Sequence, residues 1–175
     1  MNFYELLLFV LPAYIANAVP VVLGGGAKLD FNKNFIDGKR WLGDGKTIRG
    51  FASGILAGVI TGLVLSLIAG NLFLPDLSFE QKIIVSFLLG LGAMLGDSFG
   101  SFMKRRFSIK PGESIFLLDQ LSFVIFALAL SSLYYVRLAS EINSDLILFL
   151  LGFTYVVHLS ANQFAHRIKL KKVPW

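Results

Sequence analysis

Five apolar stretches constrain this chain of 175 residues more than any other feature. They run near 3–23, 50–70, 81–99, 115–136 and 145–163. A helix needs ~20 mostly apolar residues to cross the hydrocarbon core of a bilayer, and these stretches approach or exceed that length. The chain is 55% hydrophobic with a mean hydropathy of +0.72, which is membrane-like rather than soluble. The first stretch lacks a basic leading region and carries Glu5, Pro12 and Pro20, so it is not expected to be a cleavable signal peptide. There is no cysteine, which excludes disulfides and thiol chemistry. The expected fold is an all-α integral membrane protein with five transmembrane helices, forming a single domain over 1–175.

Charge sets the orientation. Residues 24–49 carry Lys28, Lys33, Lys39, Arg40, Lys46 and Arg49; residues 100–114 carry Lys104, Arg105, Arg106 and Lys110; the tail carries Arg167, Lys169, Lys171 and Lys172. These six, four and four make 14 of the 16 Lys and Arg residues. The segments 71–80 and 137–145 are short and mostly acidic. With five crossings the three basic segments share one side. The positive-inside rule makes that side the cytoplasm, with the N-terminus outside and the C-terminus cytoplasmic. A count of four or six crossings would break the alternation.

Small residues recur every fourth position through the second stretch: Gly50, Gly54, Gly58, Gly62, Ser66 and Gly70. On a helix they form one smooth face, a repeated GxxxG that admits a close neighbour. Gly92, Gly96 and Gly100 repeat this in the third stretch. Such a face packs helices; it can also line a groove for lipid chains, or serve a dimer, so the oligomeric state stays open. In the first stretch Pro12 and Pro20 free backbone carbonyls. Asn17 either satisfies those carbonyls or belongs to a polar site.

The stretch "GDGKT", residues 43–47, invites a P-loop reading. A Walker A motif needs Gly, four residues, then Gly-Lys-Ser/Thr, between a strand and a helix. The first glycine would fall at Arg40, and no strand pattern precedes it. The segment is instead read as a phosphate-binding loop. Its amides and the start of the following helix favour an anion, and Lys46 and Arg49 add full charges.

The other polar constellation is "GDSFGSFMKRRFSIKPGESIFLLDQLSF", residues 96–123. Asp97 lies at the end of the third stretch and Asp119 just inside the fourth, so both reach the same membrane depth. If the third helix runs on, Asp97, Ser101 and Lys104 share one face. Ionisable residues in membrane spans are costly and usually functional. Two carboxylates placed together favour a divalent cation, and Mg²⁺ takes one or two carboxylates plus substrate phosphates. The alternative is that each Asp makes a structural salt bridge with Lys104, Arg105 or Arg106. His158 and His166 are too far apart for one helical turn and are read as structural.

Ser101-x-x-Lys104-Arg105-x-x-x-x-Lys110, closed by Asp119 and preceded by Gly96-Asp97, resembles the signature of the phosphatidate cytidylyltransferases. Pro111 stands where that signature has Asp, and its His-Gly-Gly element is absent. With "GGGAKLDFNKNFIDGKRWLGDGKTIRG" as first loop, the chain resembles the shorter CDP-archaeol synthase family of archaea, over all five stretches and both loops. The resemblance implies a Mg²⁺-dependent cytidylyltransferase of the cell membrane. Its substrates would be CTP and an isoprenoid ether-lipid phosphate, 2,3-bis-O-geranylgeranylglycerol 1-phosphate. No nucleic-acid partner is expected. Asp97 and Asp119 would hold the metal, with Lys104, Arg105 and Lys110 on the phosphates. Lys28, Arg40, Lys46, Thr47 and Arg49 would close over the nucleotide, and Ser101 would line the site. The competing readings are a CDP-alcohol phosphotransferase or lipid kinase, and a small transporter. No D-x-x-x-D pair lies in a span, which weighs against the phosphotransferase. The carboxylates sit at the edge rather than the midplane, which weighs against a transporter.

Overall fold

The computed structural model describes residues 1–109, 113, 115 and 118–170. Those residues form α1 (Phe3–Ala18), α2 (Pro20–Leu23), α3 (Ile48–Ile68), α4 (Phe79–Arg106), α5 (Leu118–Ser132), α6 (Leu138–Glu141) and α7 (Ser144–Arg167). Among them there is no strand, only isolated antiparallel bridges at Lys28–Thr47 and Asn34–Arg40. α1 continued by α2, α3, α4 and α7 are each long and apolar enough to cross a membrane, while α5 is shorter.

The ends of these helices follow local chemistry. Asn2 and Glu5 cap α1 reciprocally, at 2.9 and 2.8 Å. Ser78 with Gln81 opens α4 the same way, and Asn143 accepts the Leu146 N–H at 2.9 Å to open α7. Such caps satisfy amides that have no partner inside a helix. The first apolar stretch breaks at Val19, because Pro20 has no N–H to continue the ladder. The third runs on to Arg106, which carries Ser101 and Lys104 on helix. The fourth is shorter than the expected 115–136. The Tyr134 and Tyr135 amides turn back onto the Ser131 carbonyl at 3.2 and 2.9 Å and end regular helix there. At ~1.5 Å per residue the 15 residues of α5 span ~22 Å, short of a ~30 Å hydrocarbon core.

α4 is the central helix, packed on α1, α3 and α5. The glycine stripes make this possible. A Cβ at Gly58 would lie 3.0 Å from Gly90 Cα and 3.3 Å from the Pro12 carbonyl oxygen. One at Gly54 would lie 2.8 Å from the Ala16 carbonyl oxygen. Towards α5, a Cβ at Gly92 would lie 2.6 Å from Ala127 Cα, and one at Gly96 would lie 2.8 Å from Phe123 Cα. These faces are consumed inside the chain. From Gly54 to Gly62 and from Gly92 to Gly96 they pack helices against one another. Leu6, Phe9 and Val10 of α1, Val85 and Leu89 of α4, and Phe123 and Val124 of α5 fill the core between them.

Ion pairs fix which helix ends lie together. Arg137 bonds Asp76 at 2.7 Å and Glu141 at 2.6 Å, and the Met1 amine lies 3.8 Å from Glu141. These join the N-terminus, the α3–α4 connection and the α5–α7 connection at one end. At the other end, the long segment 24–47 meets the C-terminal end of α4 and the N-terminal end of α5.

Candidate active site

The 24–47 segment is a folded flap rather than a loose loop. Its base is closed by backbone bonds from Leu29 N–H to the Lys46 carbonyl (2.9 Å) and from Ile48 N–H to the Ala27 carbonyl (3.0 Å). Its interior is organised by Asp30, whose side chain is almost fully buried. That carboxylate accepts two bonds from the Arg40 guanidinium, at 2.8 and 3.1 Å. It also accepts the backbone N–H groups of Asn32, Leu42 and Gly43, each at 3.1 Å. Burial pushes the Asp30 carboxyl up, but Arg40 and the three amides outweigh it and hold the group well below the usual carboxylate range. Gly43 reaches this position with φ of 101°, a conformation that suits glycine.

The outer half of the flap is clamped to α4. Arg106 stacks 4.8 Å from the ring centres of both Phe35 and Phe102 and donates to Asp37 and to the Lys39 and Arg40 carbonyls. Lys39 returns the contact, donating to the Arg106 carbonyl (3.0 Å) and Ser108 Oγ (2.7 Å). Trp41 packs against both Phe35 and Phe102, which also meet each other, ring centres 5.4 Å apart.

This scaffold delivers Lys46 to Asp97, with which it forms an ion pair. Across the same space Lys104 bonds Asp119 at 2.8 Å. Asp119 is held by a further bond from the Ile115 N–H at 3.1 Å, and the Glu113 carbonyl accepts from Lys104 at 3.3 Å. Ser101 is buried between them. Lys46, Asp97, Ser101, Lys104 and Asp119 all line one cavity of about 1150 Å³. From this polar head the cavity continues as an apolar groove between α1 and α7, past Leu11, Leu8 and Leu7 on one wall and Phe153 and Val157 on the other. It reaches Asn2 and Tyr4 at the far end of α1.

No group of three or more His, Asp or Glu that could hold a metal is found among the described residues. Two carboxylates on one cavity, each balanced by a lysine, are the oxygen donors that a divalent cation could share with substrate phosphates.

A family model for CarS-like CDP-archaeol synthase matches residues 2–175. A CDP-archaeol synthase of Pyrococcus abyssi is 45% identical over 174 residues, covering 98% of each chain. One of Methanocaldococcus jannaschii is 40% identical over 181 residues, covering 99% of each. The chain belongs to the CDP-archaeol synthase family. A solved structure described as an intramembrane enzyme for archaeal membrane lipids biosynthesis superposes with a TM-score of 0.78. It is 38% identical and matches 92% of this chain and 94% of that one. Together with its apolar helices, this makes the chain a multi-pass membrane protein.

Within this family fold, the residues singled out in the sequence divide into two groups. Lys46, Asp97, Ser101, Lys104 and Asp119 converge on the cavity. The others are engaged in building the flap. Arg40 is committed to Asp30 and Asp44, and Lys28 reaches Asp44 at 3.3 Å. Thr47 is the N-cap of α3; its Oγ1 accepts the Gly50 and Gly25 amides, each at 3.1 Å. Arg49 donates to the Leu23 and Gly24 carbonyls at the end of α2. Arg105 turns its buried Nε towards Gly43, where a Cβ would lie 3.9 Å away. Lys110 lies outside the described residues. Sequence reasoning gave Asp30 no role of its own and offered Arg106 only as a salt-bridge partner of Asp97 or Asp119, whereas it pairs with Asp37. The recurrence of Asp among the loop glycines was the available signal for the first; nothing local marked the second. His158 bonds Asn17 at 3.3 Å and Asn162 at 3.1 Å, as a structural histidine should, yet it also borders the cavity.

Proposed function

We propose that the chain transfers the cytidylyl group of CTP to 2,3-bis-O-geranylgeranylglycerol 1-phosphate, releasing pyrophosphate and giving CDP-archaeol. The observation that carries this reading is the single cavity. Its head is ionic and its body is an apolar groove along two membrane helices, as a reaction between a nucleotide and a lipid phosphate requires. Family membership supports the choice of both substrates.

The lipid phosphate is already anionic at neutral pH, so its oxygen attacks the α-phosphorus without a general base. One P–O bond forms and the bond to the β-phosphate breaks, with pyrophosphate leaving. The barrier lies in bringing anions together and in the charge that develops, so positioning and electrostatics do the work. Lys46 and Lys104 exchange their carboxylate partners for phosphate oxygens, and Ser101 orients one of them. Asp97 and Asp119, once released from the lysines, would hold Mg²⁺, which would supply neutralisation of phosphate charge. The flap built on Asp30 and Arg106 holds Lys46 over the reacting groups, and the charge of Lys110, four residues beyond Arg106 in the chain, would add to the attraction for phosphate.

The head faces the cytoplasm in this reading, with α5 as the fifth crossing. Fourteen of the 16 Lys and Arg lie in the segments 24–49 and 100–114 and in the tail. Because the chain has no cysteine, a single cysteine at exposed Ile36 should react with an impermeant thiol reagent only from the cytoplasmic side, and one at Ser140 only from outside. The decisive assay is pyrophosphate release. It should require CTP, a lipid monophosphate and Mg²⁺ together. Preference for ATP over CTP would overturn the nucleotide assignment, and full activity in chelator would overturn the metal.

A further inference from the structure

Besides Tyr14, whose hydroxyl is bonded to Thr154, three polar side chains interrupt the apolar wall of the groove near its head, and the reaction does not use them. Asn17 comes from the last turn of α1; His158 and Asn162 come from one face of α7. All three border the cavity. Among the described residues Asn17 makes no helix cap and bonds no freed carbonyl; its amide meets His158 Nε2 at 3.3 Å. His158 stacks on Phe123 with ring centres 5.8 Å apart. Phe123 follows Asp119 by four residues on α5, one helical turn or ~5.4 Å deeper. The polar trio therefore sits one turn below the ionic head; beyond it the wall is mainly leucine, phenylalanine and valine, with the Tyr14 hydroxyl bonded to Thr154, until Glu5 and Asn2 at the far end.

Polar groups in a membrane interior are costly, and placing three on a lipid groove calls for a ligand that repays them. A glycerol phosphate lipid has oxygen at that depth: the two oxygens linking glycerol to its chains lie a few bonds beyond the phosphate. Linkage oxygens only accept hydrogen bonds, and the trio is rich in donors. An amide carries two N–H groups, so His158 takes at most one of Asn17's, whichever ring nitrogen bears the proton.

We propose that Asn17, oriented by His158 and Asn162, hydrogen-bonds the glycerol linkage oxygens of the lipid substrate and makes the site select glycerol-linked lipids over plain alkyl phosphates. This rests on the reading of the cavity as a lipid-phosphate site. The oxygens are recognised by a subsite separate from the groups that bind phosphate, and chain length is left to the groove beyond.

The test is a ratio. Purified protein is assayed with the dialkylglycerol phosphate and with its analogue carrying CH₂ in place of both linkage oxygens. The unaltered protein should prefer the oxygen-bearing lipid in kcat/KM by about tenfold, the worth of one good hydrogen bond. Asn17→Leu and His158→Phe, the latter retaining a ring against Phe123, should bring that ratio towards one while KM for CTP stays unchanged. If the unaltered protein does not distinguish the two lipids, the proposal falls without reference to any variant. It also falls if both variants keep the full ratio, or if they slow both lipids equally, as loosened α1–α7 packing would. No transfer to any lipid phosphate would instead overturn the cytidylyltransferase reading beneath it.

Discussion

The two ends of the helical bundle are held by the same kind of contact and use it differently. At one end Arg137 ties Asp76 to Glu141 on the protein surface, and Arg137 and Asp76 are each about half exposed. At the other, Lys46–Asp97 and Lys104–Asp119 are more sheltered and open onto a cavity. A surface pair fastens loops and is screened by water. A sheltered pair beside a cavity stores two charges of each sign whose partners can be exchanged when an anion and a cation arrive together. The comparison predicts that substitutions at the first end change little, and that at the second end they abolish chemistry while the helices stay packed.

The largest effect should come from Asp97→Asn and Asp119→Asn. Each removes a carboxylate and leaves its lysine without a counter-charge. By analogy with loss of one transition-state contact, kcat should fall 10²–10³-fold, about 3–4 kcal/mol. Titrating Mg²⁺ in the activity assay separates the two sources of that loss. If higher Mg²⁺ does not restore any rate and the unaltered protein shows no Mg²⁺ dependence, both aspartates serve only as lysine partners. Lys46→Ala should cost somewhat less, roughly 2–3 kcal/mol in kcat/KM, because Lys104 still faces the phosphates. Circular dichroism and thermal melting of this variant should match the parent, since Lys46 caps no helix and fills no core.

Much of this was legible in the sequence because bilayer physics is one-dimensional. Hydropathy located the helices, with ends within about four residues except at α4, which runs seven residues past the expected 99 to Arg106, and Asp97, Ser101 and Lys104 share a face through helical spacing alone. What could not be read came from contacts distant along the chain. Asp30 and Arg40 are ten residues apart within a loop of no periodicity, and their pairing makes Arg40 a brace rather than an open phosphate ligand. Arg106 meets Asp37 across 69 positions, and Asn17 meets His158 across 141. The short α5 was missed for a different reason. Leu133, Tyr134 and Val136 are apolar, so hydropathy runs on where backbone bonding has already turned the chain.

The flap offers an intermediate case, and Asp30→Asn tests it. Its site is buried and ionic like the head, yet its task is fastening, like the far end. Removing the charge while Arg40 remains should destabilise the flap by about 3 kcal/mol, the low end for breaking a buried pair. Activity should fall through KM for CTP as the flap opens, with kcat at saturation less affected. Protection of flap amides from hydrogen exchange should drop while α3 and α4 keep theirs. The pH dependence has a definite sign. A carboxylate whose folded pKa is depressed contributes stability that is complete above the unfolded value, near 4, and is lost only as pH falls below it. The flap should therefore stay closed from pH 5 to 8. Any change in rate across that range would come from other groups, and Asp30→Asn should leave its shape unaltered.

The smallest effect is expected at the far end, where Arg137→Ala removes both of its ion pairs. Exposed pairs contribute 0–1 kcal/mol apiece, so melting should shift by a few degrees at most, less in high salt. Activity should not change. Glu141 would keep the Met1 amine, 3.8 Å away, which limits the loss further. A large fall in activity would show that the far end of the groove, where Asn2 and Tyr4 border the cavity close to this network, is tied to the chemistry at its head. Repeating the measurement with a shorter-chain lipid phosphate would then decide the matter. An effect acting through the occupied end of the groove vanishes when the chain no longer reaches it; one acting through helix packing does not.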